Sequence, residues 1–134
     1  MALRAGRRFG VDSSVPGRVL VVDDDATLRT VVQRILESEG YVVETASDGN
    51  EALDRIQSGP PDLVLLDLMM PIMDGWQVLE RLRGVTAHPP VIVLSAYLDR
   101  GRVLDAGAVD CLPKPFRMRD LLRTCQKALG TGAN

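Results

Sequence analysis

The sequence predicts an α/β fold: a doubly wound sheet of five parallel strands, with a short fourth helix. Three observations carry this. Five short apolar runs recur along the chain, each bounded by turn formers. Each is followed by a stretch whose apolar residues repeat at helical spacing. The connections are short, as crossovers between parallel strands on both faces of one sheet require.

Arg18 to Val22 reads as the first strand and runs into three acids, Asp23, Asp24 and Asp25. Leu28, Val31, Val32, Ile35 and Leu36 then share one face of an amphipathic helix. Asp25 can cap its amino end and Gly40 can close it. Asp23 and Asp24 are left without an evident structural duty. Tyr41 to Ala46 fits an edge strand. Ser47 is placed to cap a helix over Glu51 to Gln57, with Ala52, Leu53 and Ile56 inward, and Gly59-Pro60-Pro61 stops it.

Leu63 to Leu66 is an unbroken apolar run ending on a carboxylate, Asp67. Such a run suits a strand buried on both faces. A loop with Pro71 and an Asp74-Gly75 turn signal follows, then a helix with a Val78, Leu79 and Leu82 stripe. His88, the only histidine, reads as an exposed loop residue before Pro89-Pro90. Val91 to Leu94 is the fourth strand and ends on Ser95-Ala96. Asp99 to Ala106 has room only for a short helix. Val109 to Leu112 is the fifth strand, ending at Pro113-Lys114-Pro115-Phe116. The last helix, Met118 to Leu129, buries Leu121, Leu122, Cys125 and Leu129, and Gly130 stops it.

The expected organisation is a leader over residues 1–17, one domain over 18–129, and a polar tail over 130–134. Arg4, Arg7 and Arg8 make the leader basic, and it has no apolar core of a signal peptide. It is expected to be disordered, with a basic docking arm as the alternative. A formal net charge of -2 calls for neither nucleic acid nor an anionic membrane as partner. No apolar stretch approaches the roughly 20 residues that span a bilayer. Cys111 and Cys125 have no metal-ligand spacing and read as reduced thiols, so a cytoplasmic location is expected.

Asp23 and Asp24 follow the first strand, Asp67 the third, Ser95 the fourth and Lys114 the fifth. If all five carboxyl ends share an edge, these residues converge. Three neighbouring carboxylates repel unless a cation joins them, and an oxygen-only set suits Mg2+. A cation, a lysine and a hydroxyl around one carboxylate form a site for holding a phosphoryl group on it.

Val21-Val22-Asp23-Asp24-Asp25, Leu66 to Gly75, Leu94-Ser95-Ala96 and Leu112 to Phe116 together resemble the receiver domain of bacterial two-component response regulators. The resemblance spans residues 18 to 129, to the single-domain, chemotaxis-regulator-like kind, and implies a flavodoxin-like (βα)5 fold. It implies that Asp67 accepts a phosphoryl group from a sensor histidine kinase or histidine phosphotransfer protein. Asp24 would ligate Mg2+ directly and Asp23 through water, with Asp67 and the Met69 backbone carbonyl completing the protein ligands. Lys114 would pair with the phosphoryl oxygens, and the Ser95 hydroxyl would move to them on activation. The Lys114-Pro115 bond is expected to be cis. The domain would receive a phosphoryl group, and promote its gain and loss, without being an enzyme in the turnover sense. Its output would be contact with a downstream protein or onward phosphotransfer, without direct nucleic-acid binding or membrane insertion.

Two departures fall on the usual output surface, helix four to helix five. Cys111 stands where the family usually has an aromatic ring that changes rotamer on phosphorylation. The Ser95–Lys114 segment is about three residues short of the family norm, which removes nearly a turn of the fourth helix at ~3.6 residues per turn. One alternative is a receiver-like interaction module that is never phosphorylated. Another is a haloacid-dehalogenase-type Mg2+-dependent phosphohydrolase, because Asp23-x-Asp25-x-Thr27 after an apolar strand resembles that superfamily's first motif. Such an enzyme needs an acidic pair after a later strand, where this chain has Lys114.

Overall fold

The computed structural model describes residues 17–130; the expected leader and tail, apart from Gly17 and Gly130, lie outside them. Five strands alternate with five helices: β1 (Arg18–Val22), α1 (Ala26–Ser38), β2 (Val42–Ala46), α2 (Gly49–Ser58), β3 (Leu63–Asp67), α3 (Gly75–Arg83), β4 (Val91–Ser95), α4 (Arg100–Asp105), β5 (Asp110–Pro113) and α5 (Met118–Ala128). The strands form one parallel sheet in the order β2-β1-β3-β4-β5. Its order reverses between β1 and β3, where open α/β sheets leave a crevice beyond the carboxyl ends of the strands.

The alternation of side chains along each strand divides the core. Leu20, Val22, Val64, Leu66, Val91 and Val93 pack on one face with Ile56 of α2, Leu79 and Leu82 of α3 and Val103 of α4. Val19, Val21, Leu63, Leu65, Ile92 and Leu94 pack on the other with Leu36 of α1 and Leu121 and Cys125 of α5. All five residues of β3 and all five of β4 are buried. Each large apolar side chain so placed contributes roughly 1.5–3 kcal/mol from its burial.

The helix ends show which local signals were decisive. Asp25 caps α1, its Oδ1 accepting the Leu28 N–H at 3.1 Å. Gly40 follows that helix at φ +94°, a left-handed conformation that favours glycine. At α2 the cap is Asp48, which accepts the Glu51 N–H at 2.8 Å, and not Ser47. Glu51 reaches back instead to the Ser47 N–H at 2.8 Å. Thus both side chains of a capping arrangement are used, shifted by one residue. Asp74 caps α3 in a reciprocal box with Gln77. β5 begins and ends one residue later than the sequence pattern suggests. His88 is half-buried rather than exposed, with its ring Nδ1 2.8 Å from the Pro89 carbonyl.

Candidate functional site at the carboxyl edge of the sheet

β1, β3, β4 and β5 deliver Asp23, Asp67, Ser95 and Lys114 to one edge. Asp23 and Asp67 are 2% and 4% exposed, and Ser95 is fully buried. Asp24, one residue further along, is exposed. Oxygens of Asp23, Asp24 and Asp67 lie within 4.8 Å of one another. Lys114 bridges the cluster, its Nζ 2.7 Å from Asp23 Oδ2 and 3.4 Å from Asp67 Oδ1. The Met69 N–H donates to the same Asp67 Oδ1 at 3.3 Å. The expected residues therefore come together.

Burial pushes the Asp67 carboxyl up to about 6 from its ordinary 3.8; the Asp23 charge adds to this, against the partial opposition of Lys114 and the Met69 amide. The Lys114 ammonium moves up as well: burial pulls it down, but its bond to Asp23 and the Asp23 and Asp67 charges outweigh that. Two buried acids and one exposed acid outnumber the neighbouring cations, Lys114 and Arg29, and leave a local excess of negative charge. A divalent cation meets that excess, and hard carboxylate oxygens are the donors that Mg2+ prefers.

Ser95 is in a different condition from the acids. Its Oγ accepts the Tyr97 N–H and donates to the Tyr97 carbonyl, both at 3.3 Å. The hydroxyl is engaged with the loop that leads into α4. The Ser95 carbonyl accepts the Lys114 N–H at 2.9 Å, which ties β4 to the lysine's own backbone. The Lys114-Pro115 bond is cis.

Backbone packing holds the phosphoacceptor candidate in place. Gly75 begins α3 directly beneath the end of β3, and a Cβ there would meet the Asp67 carbonyl oxygen and the Leu68 Cα. Only glycine allows this approach. Leu68, Met70 and Met73 bury and anchor the intervening loop, whereas Met69 is 62% exposed at the rim. A cleft of about 530 Å³ opens beside it, lined by Met69, Trp76, Tyr97, Leu98 and Arg102 among others. The Arg102 guanidinium lies 4.7 Å from the centre of the Trp76 ring.

Two contacts were not anticipated. One is this Arg102–Trp76 pair, which joins α4 to α3. The other is Arg29, whose Nη1 donates to the Asp23 backbone carbonyl at 2.7 Å. A cation near the amino end of a helix opposes the helix dipole, and that mismatch was a legible sign that Arg29 has another task.

Five parallel strands in this order, with acids at β1 and β3, a hydroxyl at β4 and a lysine at β5, define a receiver architecture. The chain belongs to the response regulator receiver domain family, whose profile matches residues 19–126. It is similar to the response regulator MprA of Mycolicibacterium vanbaalenii, 50% identical over 111 residues, which cover 81% of this chain and 48% of that protein. MprA of Mycobacterium tuberculosis H37Rv is 50% identical over 108 residues, 78% of this chain and 47% of the relative. The chain thus spans about half the length of these curated relatives. Among solved structures, the Francisella response regulator 1452 receiver domain matches with a TM-score of 0.81 at 33% identity, covering 85% of this chain and 97% of that one. The chemotaxis response regulator CheY4 of Vibrio cholerae matches with a TM-score of 0.76 at 34% identity, covering 83% and 97%. The flavodoxin-like receiver fold and the place in two-component signalling follow. Among the described residues no helix is long and apolar enough to cross a membrane.

Proposed function

We propose that this domain is a cytoplasmic phosphoacceptor: Asp67 takes a phosphoryl group from a phosphohistidine on a sensor kinase or phosphotransfer protein, with Mg2+ bound at the acidic cluster. The observation that carries this is the convergence of Asp23, Asp24 and Asp67 with Lys114 bridging two of them. Asp24 and Asp67 would hold the ion directly and Asp23 through water, with the Met69 carbonyl completing the protein ligands. Mg2+ supplies charge neutralisation and orientation for the incoming phosphoryl group. Asp67 then attacks phosphorus with a carboxylate oxygen, and the P–N bond to the donor imidazole breaks. Lys114 stays beside the new acyl phosphate and pairs with its oxygens, as fixed positive charge at a developing phosphoryl does.

The surface beside the site supports a protein donor. A groove of about 450 Å³ lies between α1 and the β5–α5 loop, lined by Leu28, Val31, Ile35, Lys114, Phe116 and Met118 among others. Its walls are apolar, as suits a helix laid into a hydrophobic groove. Downstream, the domain signals by contact with another protein or by passing the phosphoryl group on.

Incubation of the chain with acetyl phosphate and Mg2+ is expected to add one phosphoryl mass, seen by intact-mass spectrometry. Chelation of the metal should prevent it. No addition under either condition would favour the interaction module that is never phosphorylated.

The metal assignment has its own test. Asp24→Ala removes the exposed member of the acidic cluster, a proposed direct ligand. It is expected to weaken Mg2+ binding at least tenfold, about 1.4 kcal/mol or more. The same change relieves repulsion within the cluster and should raise stability in the absence of metal. A Mg2+ titration read through Trp76 fluorescence that gives equal affinities for the two proteins would remove Asp24 from the ligand set.

A further inference from the structure

We propose that Arg29 is a positioning residue for the cation site, holding the Asp23–Asp24 peptide so that the Asp24 carboxylate faces Asp67. The proposal rests on reading the acidic cluster as a Mg2+ site. Arg29 lies one turn into α1 and folds back, its guanidinium 2.7 Å from the Asp23 carbonyl oxygen. The bond is short and charge-assisted, the stronger kind of hydrogen bond.

The remaining contacts of this turn fix Asp23 and the peptide after Asp24, and leave the Asp23–Asp24 peptide to Arg29. The Asp23 N–H donates to the Ala46 carbonyl at 3.2 Å, continuing the sheet. Asp23 Oδ1 accepts the Asp25 N–H at 2.9 Å, and Oδ2 accepts Lys114. The Asp25 N–H bond holds the peptide that follows Asp24, and none of these contacts sets the plane of the Asp23–Asp24 peptide before it. The Asp23 carbonyl lies in that plane, and peptide planarity makes the Asp24 Cα follow wherever the carbonyl turns. Asp24 is exposed, and its side chain accepts no hydrogen bond from any described residue. The Asp25 amide bond and the Arg29 bond thus hold the two peptides that flank Asp24, and Arg29 fixes the one on the Asp23 side.

A purely electrostatic role for Arg29 would have the opposite sign. A guanidinium this near the cluster repels a dication, so deleting it should tighten Mg2+ binding. A positioning role predicts weaker binding, because Asp24 loses its orientation even as a repelling charge is removed.

Calorimetric Mg2+ titrations of the full chain, with R29M and R29K beside wild type, separate these. R29M is expected to bind Mg2+ about tenfold more weakly, the low end of the effect of groups that orient a metal ligand. R29K keeps a donor and a charge and is expected to fall between R29M and wild type. Phosphorylation of R29M by acetyl phosphate should need more Mg2+ and yet reach, at saturating metal, within about twofold of the wild-type rate. Equal or tighter Mg2+ binding by R29M overturns the proposal, as does a lowered maximal rate with unchanged Mg2+ dependence. A thermal melt without metal shows whether R29M is folded. If it is not, R29K and R29Q are compared with wild type by the same criteria. Failure of wild type itself to bind Mg2+ would instead overturn the cation-site reading.

Discussion

Asp67→Asn is expected to abolish phosphorylation by acetyl phosphate and to stabilise the metal-free domain. The first effect follows from nucleophilicity: an amide cannot form the acyl phosphate, and Asp67 is the proposed acceptor, a buried member of the acidic cluster with Lys114 Nζ at 3.4 Å. The second follows from burial. The folded domain holds the Asp67 carboxyl at about 6, against 3.8 when unperturbed. Above about pH 6 the carboxylate is ionised in both states, and the folded state bears the cost of keeping a desolvated charge beside Asp23. As pH falls from about 6 to 3.8 the folded state takes up a proton first, so that cost disappears. The substitution should therefore stabilise by roughly 1–3 kcal/mol at neutral pH, reduced by loss of the Lys114 partner. The gain should shrink on acidification through pH 6, and Mg2+ should close the gap by neutralising the wild-type cluster. Thermal melts across pH, with and without Mg2+, measure the second effect, and intact mass measures the first. Phosphorylation that survives in Asp67→Asn and is lost in Asp23→Asn would turn the assignment toward the dehalogenase-type chemistry.

What the sequence made legible follows from how local each signal is. The strands were readable because β3 and β4 are buried on both faces and so are apolar up to their last residue. The site residues were readable because chain order puts them at strand ends, and a parallel sheet carries all those ends to one edge. Asp48 was missed as a cap because Ser47, Asp48 and Glu51 form two overlapping capping patterns, and only backbone geometry selects between them. Arg29 and the Arg102–Trp76 pair were missed for another reason. A long flexible cation can reach many partners, and its choice is set by tertiary packing. His88 is half-buried with its ring Nδ1 against the Pro89 carbonyl, a contact no periodicity reports.

The route by which a signal leaves the site is expected to run through α4. That helix has six residues, Arg100–Asp105, under two turns, and Val103 is its one buried side chain. A helix so short is held by tertiary contacts. Those contacts are few: Arg102 over Trp76, and Arg100 Nη1 at 3.0 Å from Asp110 and 3.6 Å from Cys111 Sγ. Cys111 is buried and small, so no ring on β5 can swing to uncover a surface. The moving part must lie elsewhere. Ser95 Oγ grips the Tyr97 backbone through two 3.3 Å hydrogen bonds, and Tyr97 is 79% exposed at the mouth of the cleft. If a phosphoryl group on Asp67 draws the Ser95 hydroxyl away, Tyr97 is released and the β4–α4 loop is free to settle over Met69 and Trp76. The cleft would then close, and α4 would be repositioned with it. Phosphorylation is therefore expected to act mainly on residues 97–106 as a gain of order. Amide exchange there should slow by roughly 5–150-fold on adding beryllofluoride and Mg2+, the size of a coupling of about 1–3 kcal/mol. Trp76 fluorescence should shift in parallel as the Arg102 contact changes. Protection that rises only in β5 and α5, with 97–106 unaltered, would place the switch on the opposite side of Lys114 and overturn this route.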